Sequence, residues 1–269
     1  MRALLPLLAI ACVLFTACGG RDGAPDRLAA AKDRGVLTIG VKADAAPFGV
    51  QTRTGLAGFD IDIAHAVADR LGCEVKLVPV TSADRIPRLQ SGEVDLLVAT
   101  MTITRARERQ VDFSIPYFQD GQALLVRTGS PITGYKDLAG KRVAAVRGST
   151  SADTLRQVAP EAEVVELGSM TELKDALLNE RVEAITSDGF ILMGLRQGEK
   201  RLSFAGPRFS TEPYGIAMAQ GQSALRDAVN EAVMDLWDSG QWRTIYDAWF
   251  GPGKPYQADI RFAIPVVPR

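Results

Sequence analysis

The chain has 269 residues, a formal net charge of −1, 46% hydrophobic and 7% aromatic residues, three cysteines and one histidine. Near neutrality removes the electrostatic case for binding nucleic acid, and no Cys/His pair has metal-ligand spacing. The balance is that of an α/β protein, and about 250 residues beyond a leader suffice for one large domain or two modest ones.

Met1-Arg2 precedes the apolar run Ala3–Leu14, which Pro6 interrupts. It is too short for a membrane span and reads as an export signal over residues 1–17. Phe15-Thr16-Ala17-Cys18 resembles the lipobox of bacterial lipoproteins, which implies that Cys18 is acylated and becomes the first mature residue. Residues 18–33 then read as a lipid-anchored linker, flexible over Gly19–Asp26. With Cys12 in the signal and Cys18 acylated, Cys73 stands alone. No intramolecular disulfide is expected, and Cys73 reads as a small buried filler beside Gly72.

Val36–Val41 reads as the first strand. Asp60 caps a helix whose inward face is Ile63, Val67 and Leu71, and Gly72 stops it. His65 lies on this helix and carries no expected chemistry. Val75–Val80 reads as a strand, Ser82 or Asp84 opens a short helix through Ile86 and Leu89, and Val94–Ala99 is a third strand. Together they form a parallel βαβαβ unit. Phe113–Gly121 and Ala123–Val126 run extended. A second series follows, with strands at Lys141–Val146, Val164–Leu167 and Val182–Thr186 and helices through Leu155–Val158 and Leu173–Leu178. After an extended return from Gly206 to Met218, helices are expected at Leu225–Trp237 and Trp242–Trp249. Two extended connectors around a middle α/β unit predict an inserted lobe at residues 119–214. The other lobe is built from residues 34–118 and 215–251, and a Pro-rich tail covers 252–269.

One segment carries chemistry. Ala99-Thr100-Met101-Thr102-Ile103-Thr104-Arg105-Ala106-Arg107 places hydroxyls at a strand end and an arginine shortly after it. Thr hydroxyls and free carbonyls receive an ammonium, and a guanidinium takes a carboxylate bidentately. Alone, the segment reads equally as a strand, a turn and a solvated basic helix.

The run Gly58-Phe59-Asp60-Ile61-Asp62-Ile63-Ala64, then Ile103-Thr104 with Arg107-Glu108, then Val111–Phe118, resembles the amino-acid-binding lipoproteins of ABC importers, solute-binding protein family 3. Gly148-Ser149-Thr150, Asp188 and Tyr214-Gly215 fall in the order of that family's second-lobe motifs. The resemblance covers about Arg34 to Gly251. It implies an α/β two-lobe periplasmic-binding-protein fold (type II), with discontinuous lobes joined by a two-strand hinge. It also implies a periplasmic or cell-surface monomer that captures an amino acid and docks on an ABC permease, touching the membrane only through its lipid, with no cofactor and no metal. By the same resemblance Arg107 clamps the α-carboxylate, and Ser149 and Thr150 at a helix N-terminus add donors to it. Asp188 with Thr100 and Thr102 holds the ammonium, and Phe48 packs on the ligand stem. Lys42 and Arg85 match the aspartate/glutamate-binding members, since a second desolvated carboxylate needs a cationic partner. The expected ligand is therefore glutamate or aspartate. A neutral polar amino acid such as glutamine is the alternative, and a cyclohexadienyl dehydratase-like enzyme, for which no catalytic motif is present, a more distant one.

Overall fold

A computed structural model describes residues 26–260 and 262–264. The expected signal, Cys12 and Cys18 lie outside the described residues. Within the stretch assigned to a linker, residues 27–33 instead belong to a helix, α1 (Arg27–Arg34). Asp26 caps it through Leu28 N and Ala29 N, and Gly35 closes it at φ 67°. Asp at the N-cap and Gly at the left-handed C-cap are strong boundary signals. Ala31 on its inner face is fully buried.

β1 (Val36–Val41) leads into a small antiparallel sheet of β2 (Asp44–Ala45), β3 (Gly49–Thr52) and β4 (Gly55–Ala57). Then come α2 (Phe59–Leu71), β5 (Glu74–Pro79), α3 (Arg85–Ser91) and β6 (Leu96–Leu97). β1 pairs in parallel with β5 on one side and β6 on the other, which is the expected βαβαβ unit. The third strand is shorter than its apolar run, although Asp95 N and Val98 N still bond to Thr38 O and Gly40 O. Asp60 is not the cap of α2: Gly58 holds that place and Asp60 is buried inside the first turn.

α4 (Arg105–Glu108) precedes β7 (Asp112–Asp120), which runs straight on into β8 (Gln122–Arg127). The second unit contains β9 (Arg142–Val146), α5 (Ser151–Val158), β10 (Glu163–Leu167), α6 (Met170–Leu178), β11 (Ala184–Asp188), α7 (Gly189–Arg196) and β12 (Leu202–Phe204). The chain returns through β13 (Glu212–Met218) to α8 (Ser223–Asp238) and α9 (Gln241–Phe250). The two large sheets have strand orders β5-β1-β6-β13-β7 and β10-β9-β11-β8-β12. These are two α/β lobes, and the chain passes between them at Gly121 and again just before Glu212. The crossings lie close together, since a Cβ on Gly121 would fall 2.3 Å from Ser210 O.

The first lobe closes over an aromatic cluster. Phe48 is fully buried, with ring centroids 5.0 Å from Phe118, 5.4 Å from Tyr214, 5.8 Å from Phe250 and 6.1 Å from Phe59. Phe48 is therefore a core residue rather than a ligand contact: four aromatic side chains enclose it, and no part of it is left for a cleft. The described residues of the tail pack on the same core. Phe262 lies against Phe118 and Trp242, Ala258 N donates to Phe250 O, and Ile264 is buried. Cys73 is free and buried, and His65 is exposed on α2.

Phe48→Ala removes the ring at the centre of the cluster and is expected to cost about 3–5 kcal/mol. Urea unfolding monitored by far-UV circular dichroism reads this as a lower midpoint at unchanged slope.

Candidate functional site

Where the lobes face each other they enclose a narrow cavity of about 30 Å³. Close approach is built into the backbone. A Cβ on Gly148 would lie 2.6 Å from Ser82 O and 2.7 Å from Ala83 Cα, and one on Gly194 would lie 2.1 Å from Ala46 O. Bonds cross the gap as well: Arg107 Nη2 donates to Gly148 O at 3.2 Å and Met170 N to Asp44 Oδ2 at 3.3 Å. The lobes are shut on one another.

Lys42, Arg85, Thr100, Thr102, Ser149, Thr150 and Asp188 all line this cavity. Lys42, just past β1, is 3% exposed and so does not point to solvent. Its Nζ is 2.8 Å from Asp44 Oδ1 and 3.4 Å from Ser82 Oγ. Burial pushes its pKa down, and the Asp44 carboxylate opposes that push.

Arg85 opens α3 and is 2% exposed. Its Nη1 donates to Ala99 O at 2.6 Å and Thr100 O at 3.4 Å, while its Nε has no partner. Neighbouring Asp84 does not serve it: that carboxylate accepts from Thr81 N and pairs with Arg88. Burial, and then the charge of Arg107, push the Arg85 pKa down to about 9.

Arg107 lies one turn inside α4, where the Thr104 hydroxyl accepts from its backbone N–H. Its guanidinium donates to Thr102 O at 2.9 Å and to Gly148 O of the other lobe. Arg107 is therefore a cross-lobe tie at the flank of the cavity, with two bonds occupying only part of its five-donor fork. Burial lowers its pKa, opposed chiefly by Asp188 and Glu212. Among the described residues neither Arg85 nor Arg107 has a carboxylate within 4.0 Å.

Thr100 has a left-handed backbone at φ 47°, a strained conformation for a β-branched residue. Asp60 over-determines it: Oδ2 accepts from Thr100 N at 2.7 Å and Oδ1 from the Tyr117 hydroxyl at 2.9 Å. Burial raises the Asp60 pKa to about 7 against the pull of both donors. Ser149 and Thr150 reach the cavity from the start of α5, but their hydroxyls already have acceptors. Ser149 donates to Val146 O at 2.6 Å and Thr150 to Glu212 Oε2 at 3.3 Å. Asp188 ends β11 and accepts from the Tyr214 hydroxyl. Burial first, then Asp120 and Glu212, raise its pKa to about 8; Tyr214 and Arg107 pull the other way.

Asp44, Ser82, Asp60, Tyr117 and Glu212 all shape this site without having been singled out for it in the sequence. For Asp60 and Tyr117 a signal existed, because both fall inside the Gly58–Ala64 and Val111–Phe118 runs. Asp44, Ser82 and Glu212 carry no such mark. A larger cavity of about 440 Å³ lies behind the crossing strands between Phe118, Phe190, Tyr246 and Phe262. Its buried charge, Asp120, is already paired with Arg208 at 2.7 Å. The narrow cavity, by contrast, is lined by Arg85, whose buried Nε has no partner among the described residues.

The bacterial extracellular solute-binding proteins of family 3 match residues 37–252. The chain is 42% identical over 261 residues to the ABC transporter glutamine-binding protein GlnH of Bacillus subtilis, covering 92% of this chain and 95% of that one. It is 33% identical over 250 residues to the glutamate-binding protein GluB of Corynebacterium efficiens, covering 87% and 85%. An ancestral arginine-binding protein, solved with arginine and with glutamine, superposes with TM-score 0.78 at 39% identity, over 81% of this chain and 99% of that one. These relatives are binding proteins, not enzymes.

Asp60 and Asp188 titrate near 7 and 8 in the fold instead of 3.8. Between about pH 4 and pH 8 the folded chain thus holds protons that the unfolded chain has released, so stability falls as pH rises through that window. Thermal melts of ligand-free protein are expected to show a lower Tm at pH 8 than at pH 5, and Asp188→Asn should flatten that slope. A Tm that rises over the same range contradicts both assignments.

Proposed function

The chain belongs to the bacterial extracellular solute-binding proteins of family 3, and from that premise we propose that it captures glutamine outside the cytoplasm for an ABC permease. The observation that carries the choice of ligand is the Lys42–Asp44 ion pair at 2.8 Å. A lone buried lysine favours a ligand carboxylate. A lysine already neutralised by Asp44, with the Ser82 hydroxyl 3.4 Å away, offers donors without an uncompensated charge. That environment suits a carboxamide, which is polar and uncharged. A second carboxylate brought there would lose its water and find the cation already taken.

The other end of the ligand meets the remaining charges. Arg107's charge is the second-largest cause lowering the Arg85 pKa, so these two cations are electrostatic neighbours and serve one anion, the α-carboxylate. Asp188 receives the ammonium. The 42% identity to a glutamine-binding protein points the same way as the ion pair. The acidic-ligand reading drawn from Lys42 and Arg85 in the sequence gives way to its neutral polar alternative, because that reading counted the cations without their partners.

Among the described residues no helix is long and apolar enough to cross a membrane, and attachment rests on Cys18. The proposal includes its acylation. A bacterial host fed labelled palmitate is expected to label the wild-type chain and leave Cys18→Ala unlabelled, and equal labelling of both rules the anchor out.

Calorimetry is expected to give glutamine a Kd near micromolar, about −8 kcal/mol, and glutamate at least tenfold weaker. Asp44→Asn frees the Lys42 charge and should narrow that gap or invert it. Glutamate binding tighter than glutamine in the wild-type protein overturns the ligand choice and restores the acidic reading.

A further inference from the structure

We propose that Tyr214 is a positioning residue for the ligand's ammonium group, acting through the hydrogen bond its hydroxyl donates to Asp188. The proposal rests on the family reading that Asp188 receives that ammonium. Tyr214 stands on β13, paired with Phe118 of β7 and bridged to Thr102. It belongs to the strand system of the first sheet, whereas Asp188 ends β11 of the second. The bond therefore spans the two lobes. The β13–β7 register shifts between Tyr214 and Gly215. A bulge of this kind bends a strand and re-aims a side chain, and here the side chain so placed is the one that reaches Asp188.

The surroundings of Asp188 make this donor matter. From β7, Asp120 is a like charge, but its oxygens are occupied by Arg208 Nε, Gly121 N and Phe190 N. From the start of β13, Glu212 is a second like charge, occupied by the hydroxyls of Ser210 and Thr150. From α4 and α3, Arg107 and Arg85 act on Asp188 at longer range, their close donors resting on backbone carbonyls. Tyr214 is the one hydrogen-bond donor to the Asp188 carboxylate among the described residues. Its ring is fully buried, 5.4 Å from Phe48 and 5.7 Å from Phe118.

Two consequences follow from removing the hydroxyl alone. The carboxylate loses the donor that fixes its direction, and it loses the neutral group that favours its charged form against Asp120 and Glu212. An ammonium ligand needs that charged form, so affinity falls as pH drops below the Asp188 titration, and cutting the Tyr214 bond shifts this fall to higher pH. Tyr214→Phe keeps the ring and its packing, which separates the hydroxyl's role from a merely structural one.

The experiment compares wild type, Tyr214→Phe, Asp188→Asn and the double variant, with Kd measured by calorimetry from pH 6 to pH 9.5. The ligand is whichever of glutamine, glutamate and arginine the wild-type protein binds, so a wrong choice of amino acid leaves the comparison intact. In parallel, 13C NMR follows the side-chain carboxyl titration of Asp188 in ligand-free wild type and Tyr214→Phe, with Asp188→Asn assigning the signal. Expected in Tyr214→Phe are a carboxyl midpoint about one pH unit higher, binding about tenfold weaker at pH 7, and partial recovery of affinity at pH 9. In the Asp188→Asn background the second substitution should add little. An unchanged midpoint, a loss of affinity that is the same at every pH, or additive losses in the double variant would each overturn the proposal. If the carboxyl midpoint moves as expected but no amino acid binds, the bond to Asp188 stands, the ammonium role falls, and the ligand reading falls with it.

Discussion

Two guanidinium groups held out of water without an ion-pair partner are the constraint around which this molecule is arranged. Burying an unpaired charge is costly, and the cost here is met by the ends of peptide groups. Arg85 leans on the carbonyls of Ala99 and Thr100, and Arg107 on those of Thr102 and Gly148. Three of those carbonyls are gathered because β6 ends early and the chain turns through a left-handed Thr100. That turn persists because Asp60 holds the Thr100 N–H from the opposite side. Carbonyl dipoles moderate the charge of the guanidiniums without cancelling it. A cleft in that condition suits an anion.

The second organising feature is a repeated pairing on the two crossing strands. Tyr117 of β7 donates to Asp60, and Tyr214 of β13 donates to Asp188. One carboxylate anchors the strand-end turn of the first lobe and the other faces the cavity from the second. The tyrosine rings sit within or beside the cluster of Phe48, Phe59 and Phe118. Among the described residues the chain joins the two lobes only by the crossings at Gly121 and just before Glu212, which lie against each other.

Much of the fold was readable because its causes are local. Apolar runs gave β1, β5 and β9, and the i, i+4 spacing of Ile63, Val67 and Leu71 with Gly72 gave α2. Asp26 and Gly35 mark the ends of α1 just as plainly, against the linker expected there. Phe48 was harder. A Phe after Pro at the end of a strand looks the same whether it faces a cleft or a core, and only Phe59, Phe118, Tyr214 and Phe250, all remote except Phe59, decide which. Lys42 and Asp44 were also ambiguous. Residues two apart meet or part according to the bend of the chain after β1, which periodicity does not report.

What the sequence determined by itself is the order of the elements, the family, and the residue types gathered at the cleft, seven of which do line it. Those follow from local patterning and from motifs whose order along the chain is specific. What tertiary structure alone decided is which of those charges are spent and which remain free. Asp44 neutralises Lys42, Asp84 turns away from Arg85, and Arg107 ties the lobes at the cavity's flank without an ion-pair partner of its own among the described residues. Pairing depends on distances of a few ångströms between side chains from different elements, and such distances exist only once the lobes have packed.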